Sequence, residues 1–428
     1  MTTEFEKIAG GVCAPQGFRA AGITCGIKKP DSPKKDLALI VSDFPAVGAG
    51  VFTENEVKAA PVRLSASYLK QCDPRAIVAN SGNANACTGA LGMEHARCMA
   101  DSAAKALGLK RREVLVCSTG IIGLPMPMER IEPRMPDLVG ALGSDEVAGA
   151  AAAEAIMTSD TRPKSYAIKF MLGGKEVRIG AIAKGAGMIN PNMATMLCFI
   201  TTDARITKAE LQEATQEAVD RSFNRITIDG DMSTNDTVLV LANGQAGNRL
   251  ITKDGPGCRV FRAALTKVMK KLAKKIVGDG ERVTKLVEVV VHGAQTDADA
   301  EKVARAVANS KLVKCSWNGN DPNWGRVLHA VGYSGAKIRE EMVDIYFGGL
   351  CAAKNGLATD TPLLELLKVM ERRKIKVCID LNLGPGQYNI FTSDLSPEYV
   401  VFNRAEYSLP AAKAAKAAQE GDGAGEEV

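Results

Sequence analysis

The sequence predicts an α/β or α+β protein in two parts. Short apolar runs alternate with amphipathic stretches along the whole chain, a glycine-rich interruption divides it, and 428 residues with 46% hydrophobic content are enough for large cores. Leu37–Ser42, Ala76–Asn80, Val114–Ser118, Met196–Thr201 and Thr237–Ala242 read as buried strands, because each is a short continuous apolar run. Glu94–Leu107, Asp145–Met157 and Thr207–Ser222 carry helical periodicity, the last opening on an N-cap threonine. A second run begins near Cys258. Helix Arg259–Ile276 leads to strand Leu286–His292, then to helix Asp297–Ser310 capped by an aspartate, and to strands Met342–Phe347 and Lys376–Leu381. The glycine-rich Asn243–Gly257 is the expected boundary. It separates an N-terminal domain, residues 1–245, from a smaller α/β domain, residues 258–408. Residues 409–428 are an Ala-, Lys-, Glu- and Gly-rich tail expected to fray.

Composition narrows the function classes. The formal charge is only +5 and the two signs are interspersed, so no nucleic-acid surface is expected. Met1–Phe5 does not lead into an apolar run, and no segment is apolar for long enough to span a bilayer. A cytoplasmic protein is the expectation. The 11 cysteines are odd in number and none forms a Cys-x-x-Cys pair, which suits reduced thiols rather than disulfides or zinc. His95, His292 and His329 are the three histidines, and none sits in a nucleophile elbow or a His-Glu-x-x-His motif. There is no Walker loop, and Gly185-Ala-Gly187 lacks the last glycine of a dinucleotide fingerprint. No cofactor and no metal are expected.

Two segments stand out chemically. In Lys184-Gly-Ala-Gly-Met-Ile-Asn-Pro-Asn-Met-Ala-Thr-Met-Leu197, two glycines and a proline turn precede a threonine that opens an apolar strand. Spacing alone favours a glycine-rich turn, with Thr195 merely β-favouring. In Val116-Cys-Ser-Thr-Gly-Ile-Ile-Gly123, a strand is expected to end at Ser118, with Thr119 and Gly120 in a turn whose N–H groups are able to hold an oxyanion. A plain strand-ending turn is again the simpler account. Asn80–Asn85, Met157–Thr161, Asp229-Gly-Asp231, Gly278–Lys285 and Asn318–Arg326 are polar clusters that suggest a polar pocket or Asx-type turns.

Taken together, these segments resemble the ornithine acetyltransferase family of arginine biosynthesis, the bifunctional glutamate N-acetyltransferase/amino-acid acetyltransferases. The likeness runs from Gly17-Phe-Arg-Ala-Ala-Gly22 to the Asn403–Ser408 region. It includes Glu54-Asn-Glu-Val-Lys-Ala-Ala-Pro61, Asn80-Ser-Gly-Asn-Ala-Asn-Ala-Cys87, Ser118-Thr-Gly120 and Met157-Thr-Ser-Asp-Thr161. Further along come Ser233-Thr-Asn-Asp-Thr237 and Asp321-Pro-Asn-Trp-Gly-Arg326. The resemblance implies a layered sandwich like that of self-processing N-terminal-nucleophile aminopeptidases, with a smaller C-terminal domain. It implies self-cleavage between Ala194 and Thr195, with the α and β fragments staying together as a dimer of pairs. The new N-terminal Thr195 would take acetyl from N-acetylornithine as an ester and pass it to glutamate. Its own α-amine, with a typical pKa of about 8, would serve as base. Thr119 and Gly120 match the family's oxyanion hole, and Thr158, Lys184, Glu281, Asn403 and Ser408 match its substrate contacts.

The chain departs from the family pattern in places. Arg282 and Val283 follow Glu281 where small residues are usual, and Arg404 intervenes after Asn403. The chain also runs about twenty residues past the family's usual end. An extended stretch at 281–283, the expected geometry, would point Arg282 away from the pocket, whereas a tight turn would let its cation enter, repelling ornithine's side chain and favouring glutamate's carboxylate. Use of acetyl-coenzyme A as a second donor stays open, as do two rivals: an N-terminal-threonine hydrolase or aminopeptidase, and an uncleaved non-catalytic binding protein.

Overall fold

The computed structural model describes residues 4–190 and 196–404. Its described strands form two six-stranded sheets and one four-stranded sheet, a mixed α/β architecture. In the first six-stranded sheet the order is Glu6–Ile8, Lys164–Leu172, Lys175–Lys184, Leu197–Thr202, Thr237–Ala242, Val47–Phe52. Leu197–Thr202 and Thr237–Ala242 run parallel to each other; the other neighbours are antiparallel.

Those two strands are mostly apolar and are buried at every position because both faces of the sheet are covered. Alternation splits their side chains between two cores. Leu197, Phe199, Leu239 and Leu241 join the core of the four-stranded sheet Phe18–Ile23, Leu37–Ser42, Ala76–Asn83, Val114–Ile121 and its helices. Cys198, Ile200, Val238 and Val240 face helices Lys208–Asp220 and Cys258–Val277. The first of these helices opens on Thr207, whose hydroxyl accepts the Glu210 amide as expected.

The remaining six-stranded sheet, Leu357–Ala358, Leu350–Lys354, Asp344–Phe347, Lys374–Asp380, Leu286–Ala294, Gly386–Ser393, has its own core with helices Asp297–Asn309, Lys311–Asn318, Trp324–Gly332 and Leu363–Met370. The expected division at Asn243–Gly257 does not separate the cores. Helix Cys258–Val277, assigned from sequence to the second part, buries Phe261, Leu265, Val268 and Leu272 against the first sheet. Its long apolar stripe needs that sheet as a partner. The cap of Asp297–Asn309 is Thr296 rather than an aspartate: its hydroxyl accepts the Asp299 amide, and Asp297 is the first helical residue. All eleven cysteines are free thiols. Among the described residues no helix is long and apolar enough to cross a membrane.

Candidate active site

Strand Lys175–Lys184 delivers a lysine to the mouth of the first sheet, where Lys184 pairs with Leu197 of the next strand. The Lys184 side chain is fully buried, and its Nζ donates to Thr119 Oγ1 at 3.3 Å. Two residues 65 positions apart, each singled out from sequence, therefore meet beside the strand that follows Thr195. Burial pulls the Lys184 ammonium down, and Lys164 adds to that; Asp160, Asp236 and Glu281 oppose it.

Thr119 and Gly120 do not form the expected turn. Strand Val114–Ile121 continues through both, pairing with Ala76–Asn83 across a register shift at Gly82–Asn83. The bulge is why glycine is required at position 120. Its φ is +139°, and a Cβ there would fall 2.3 Å from the Gly82 carbonyl carbon and 2.4 Å from the Asn83 nitrogen. Thr119 is buried and Gly120 exposed, so the pair spans the edge of the site.

Thr158 reaches the same region through Asp160. The Asp160 carboxylate accepts the amides of Thr158 (3.1 Å) and Gly185 (2.8 Å) and the Lys164 ammonium at 2.5 Å. Burial alone would push its carboxyl up; Lys184, Lys164 and the Gly185 amide outweigh this and hold it down. Lys164 also donates to Asp279 at 2.6 Å, and Asp279 accepts both the amide and the hydroxyl of Thr161.

Glu281 follows two residues later, with its amide on the Ala186 carbonyl at 2.9 Å. Its carboxylate occupies the space beside Gly187 that a Cβ would need: the built Cβ lies 2.5 Å from Cδ. Asn403, on the short helix Pro397–Asn403, donates to Glu281 Oε2 at 3.0 Å. The helix is held to the same loop by Tyr399, whose hydroxyl donates to Asp229; Asp229 in turn accepts the Met188 and Ile189 amides.

The extended geometry expected at Arg282 is not found. Val283 N–H bonds Gly280 C=O, closing a tight turn in which Arg282 takes φ +57°. Its exposed guanidinium lies 4.9 Å from the Phe402 ring centroid, next to Asn403. Ser396 also donates to the Arg282 carbonyl, so the turn and the short helix brace each other.

Thr119, Gly120, Thr158, Lys184, Glu281 and Asn403 are thus linked around one loop. Ala194, Thr195 and Ser408 lie outside the described residues. Sequence reasoning gave no role to Asp160, Lys164, Asp229, Asp236 or Asp279. The available signal was charge at the ends of strands, as at Lys164, which opens Lys164–Leu172, and Asp236 just before Thr237–Ala242, since buried charge needs partners. Asp236 is fully buried, with Oδ1 accepting the Met196 amide at 2.8 Å and Oδ2 unpartnered among the described residues. Burial pushes its carboxyl well up, against the pull of the Met196 amide and Lys184. A separate groove of about 740 Å³ beside helix Cys258–Val277, lined by Arg221, Arg262 and Lys270, includes none of the site residues.

The ArgJ family model matches residues 19–408. The chain is 50% identical over 398 residues to an arginine biosynthesis bifunctional protein ArgJ of Symbiobacterium thermophilum, covering 93% of this chain and 98% of that protein. It is 47% identical over 414 residues to a glutamate N-acetyltransferase of Methanocaldococcus jannaschii, covering 94% and 99%. A solved structure of an arginine biosynthesis bifunctional protein argJ from Bacillus halodurans is 40% identical and covers 48% of this chain and 98% of that one, with a TM-score of 0.47. With a family model matching nearly end to end and relatives at such identity, the chain belongs to the ArgJ family.

Proposed function

We propose that this chain is an acyltransferase of arginine biosynthesis, a glutamate N-acetyltransferase that moves acetyl from N-acetylornithine to glutamate through an ester on Thr195. The names of its relatives support the reaction class. The observation that carries the reading is the meeting of the Thr119 hydroxyl and the Lys184 ammonium, 3.3 Å apart, at the strand entered directly after Thr195 and Met196.

Self-cleavage at Ala194–Thr195 makes the nucleophile and its base together. The Thr195 hydroxyl attacks the preceding carbonyl carbon; the C–N bond breaks, an ester forms, and water releases the Ala194 carboxyl and the free threonine. In transfer, the Thr195 amine takes the hydroxyl proton as Oγ bonds the acetyl carbon of N-acetylornithine. The tetrahedral oxyanion is held at Thr119 and Gly120, then collapses as the acetyl C–N bond breaks and the Thr195 ammonium passes its proton to the leaving amine, giving acetyl-threonine and ornithine. Glutamate's neutral amine attacks that ester, the acetyl C–Oγ bond breaks, and the hydroxyl regains its proton.

Lys184 and Glu281 carry opposite charges across the loop and suit the carboxylate and ammonium of an amino-acid substrate. Thr158, Asn403 and Ser408 complete the substrate contacts. The fragments stay together as α and β chains, as a dimer of such pairs in the cytoplasm.

A denaturing gel and a transfer assay test the reading. Two bands of about 20 and 25 kDa are expected, the smaller chain ending at Ala194 and the larger beginning at Thr195. Thr195→Ala stays whole and inactive; efficient cutting of that variant refutes the mechanism. Ornithine release that needs glutamate separates this enzyme from a hydrolase. Acetylation of glutamate by acetyl-coenzyme A separates a bifunctional from a monofunctional enzyme.

A further inference from the structure

Lys164, Asp160 and Asp279 form a buried charged chain that the mechanism above does not use. All three side chains are at most 3% exposed, and Lys164 Nζ sits between the two carboxylates at 2.5 and 2.6 Å. Desolvated charges of this kind persist when each is paired and hydrogen-bonded. Lys164 has both partners, and Asp160 adds the amides of Thr158 and Gly185. Asp279 adds Thr161.

The chain's placement matters more than its existence. Asp160 holds Gly185, the residue directly after Lys184. Asp279 lies two residues before Glu281, whose carboxylate stands against Gly187. One buried cation therefore joins the elements that carry the two opposite charges of the site. The link crosses the predicted cleavage point: Asp160 and Lys164 belong to the N-terminal fragment and Asp279 to the C-terminal one.

We propose that Asp160 and Lys164 are positioning residues for the two charged ends of an amino-acid substrate, Lys164 locking Asp160 to Asp279 so that Lys184 and Glu281 are held at a set separation. The inference rests on the reading of Lys184 and Glu281 as substrate contacts. Asp160 has a second effect, because its negative charge is the strongest of those opposing the desolvation of Lys184. The charged groups acting on Lys184 are Asp160, Lys164 from strand Lys164–Leu172, Asp236 ahead of strand Thr237–Ala242, and Glu281 in its turn; the Thr119 hydroxyl bonds it directly.

The test uses the full chain with Asp160→Asn, Lys164→Met and Lys164→Arg, with cutting scored on a denaturing gel. Ornithine binding is followed by calorimetry and acetyl transfer by initial rates. Lys164→Met is expected to weaken ornithine binding and raise KM for both substrates by about tenfold or more, with kcat changed by less than about threefold. Lys164→Arg keeps the cation and stays within about threefold of wild type. Asp160→Asn keeps an acceptor for Gly185 but removes the charge, so Lys184 loses its proton at lower pH. Its kcat/KM therefore drops about tenfold more than that of wild type between neutral and alkaline pH. A merely structural role would not move that ratio.

Wild-type binding, KM and pH ratio in Asp160→Asn overturn the proposal, whether or not Lys164→Met folds. If wild type binds ornithine but transfers no acetyl group, the acetyltransferase reading fails and the binding comparison still judges this one. If wild type transfers and the variants match it, this proposal alone fails.

Discussion

Gly187→Ala is a substitution that the fold accepts and the site does not. Gly187 has no left-handed backbone angle, so alanine meets no torsional penalty there. The added methyl would lie 2.5 Å from Glu281 Cδ and 2.6 Å from both carboxylate oxygens. Carbon contacts relax at about 3.5 Å, so the carboxylate must retreat by about 1 Å. It is the end of a flexible side chain, and an off-rotamer shift costs about 0.5–1.5 kcal/mol. Loss of the Asn403 hydrogen bond adds about 1 kcal/mol at most, because Asn403 is exposed. Both are small against a stability of about 5–15 kcal/mol. A 1 Å misplacement of a substrate contact, in contrast, costs up to about a hundredfold in rate. Gly187→Ala should therefore be cut normally and melt within a few degrees of wild type. Its kcat/KM for N-acetylornithine should fall about ten- to a hundredfold. Steady-state kinetics and a thermal melt on the same preparation check this. Unchanged kinetics would show that the Glu281 carboxylate beside Gly187 makes no substrate contact.

Thr119→Ala should lower acetyl transfer by roughly a hundredfold with much less change in ornithine affinity, and Thr119→Ser should restore most of it; an unaffected rate in rapid-mix assays would leave Thr119 as a strand residue only. Gly120→Ala meets backbone at 2.3 Å in addition to its φ of +139°, so a denaturant melt should give a loss of about 2–6 kcal/mol, and a wild-type midpoint would contradict the bulge geometry. Asp236 has a raised carboxyl pKa in the folded state, so the native chain binds more protons than the unfolded chain and this group's contribution falls as pH rises above about 3.9. Asp236→Asn removes that dependence: its melting temperature relative to wild type should climb from pH 4 to pH 8, and a constant difference would mean an ionised Asp236. Arg282→Gly relieves a left-handed arginine but loses the Phe402 contact, two effects of about 1 kcal/mol each that offset. Although the segment is a tight turn, the guanidinium packs on Phe402, so the Michaelis constants should stay within about threefold of wild type, and large opposite shifts for the two substrates would put Arg282 inside the pocket.

Much of the framework was legible because it is local. Leu37–Ser42 and Thr237–Ala242 match their expected limits, and Thr207 caps its helix, since apolar period and capping chemistry act within a few residues. Strand Val47–Phe52, with its two glycines, gave too weak an apolar signal to be recognised. Lys164–Leu172 was missed because polar residues interrupt it. The motifs named Thr119, Lys184 and Glu281 through family likeness, whereas spacing alone favoured plain turns.

Sequence by itself determined the alternation of strands and helices, the residues worth testing and the family they resemble. Tertiary structure alone decided that Cys258–Val277 packs on the first sheet, that Gly120 lies within a strand, and that Arg282 sits in a tight turn. It also decided which buried charges neutralise one another. Lys164 and Asp279 are 115 positions apart, and Lys184 and Thr119 are 65 apart. Periodicity and capping are set by neighbours along the chain, but the cost of burying a charge is met only by a partner that folding brings within hydrogen-bond reach.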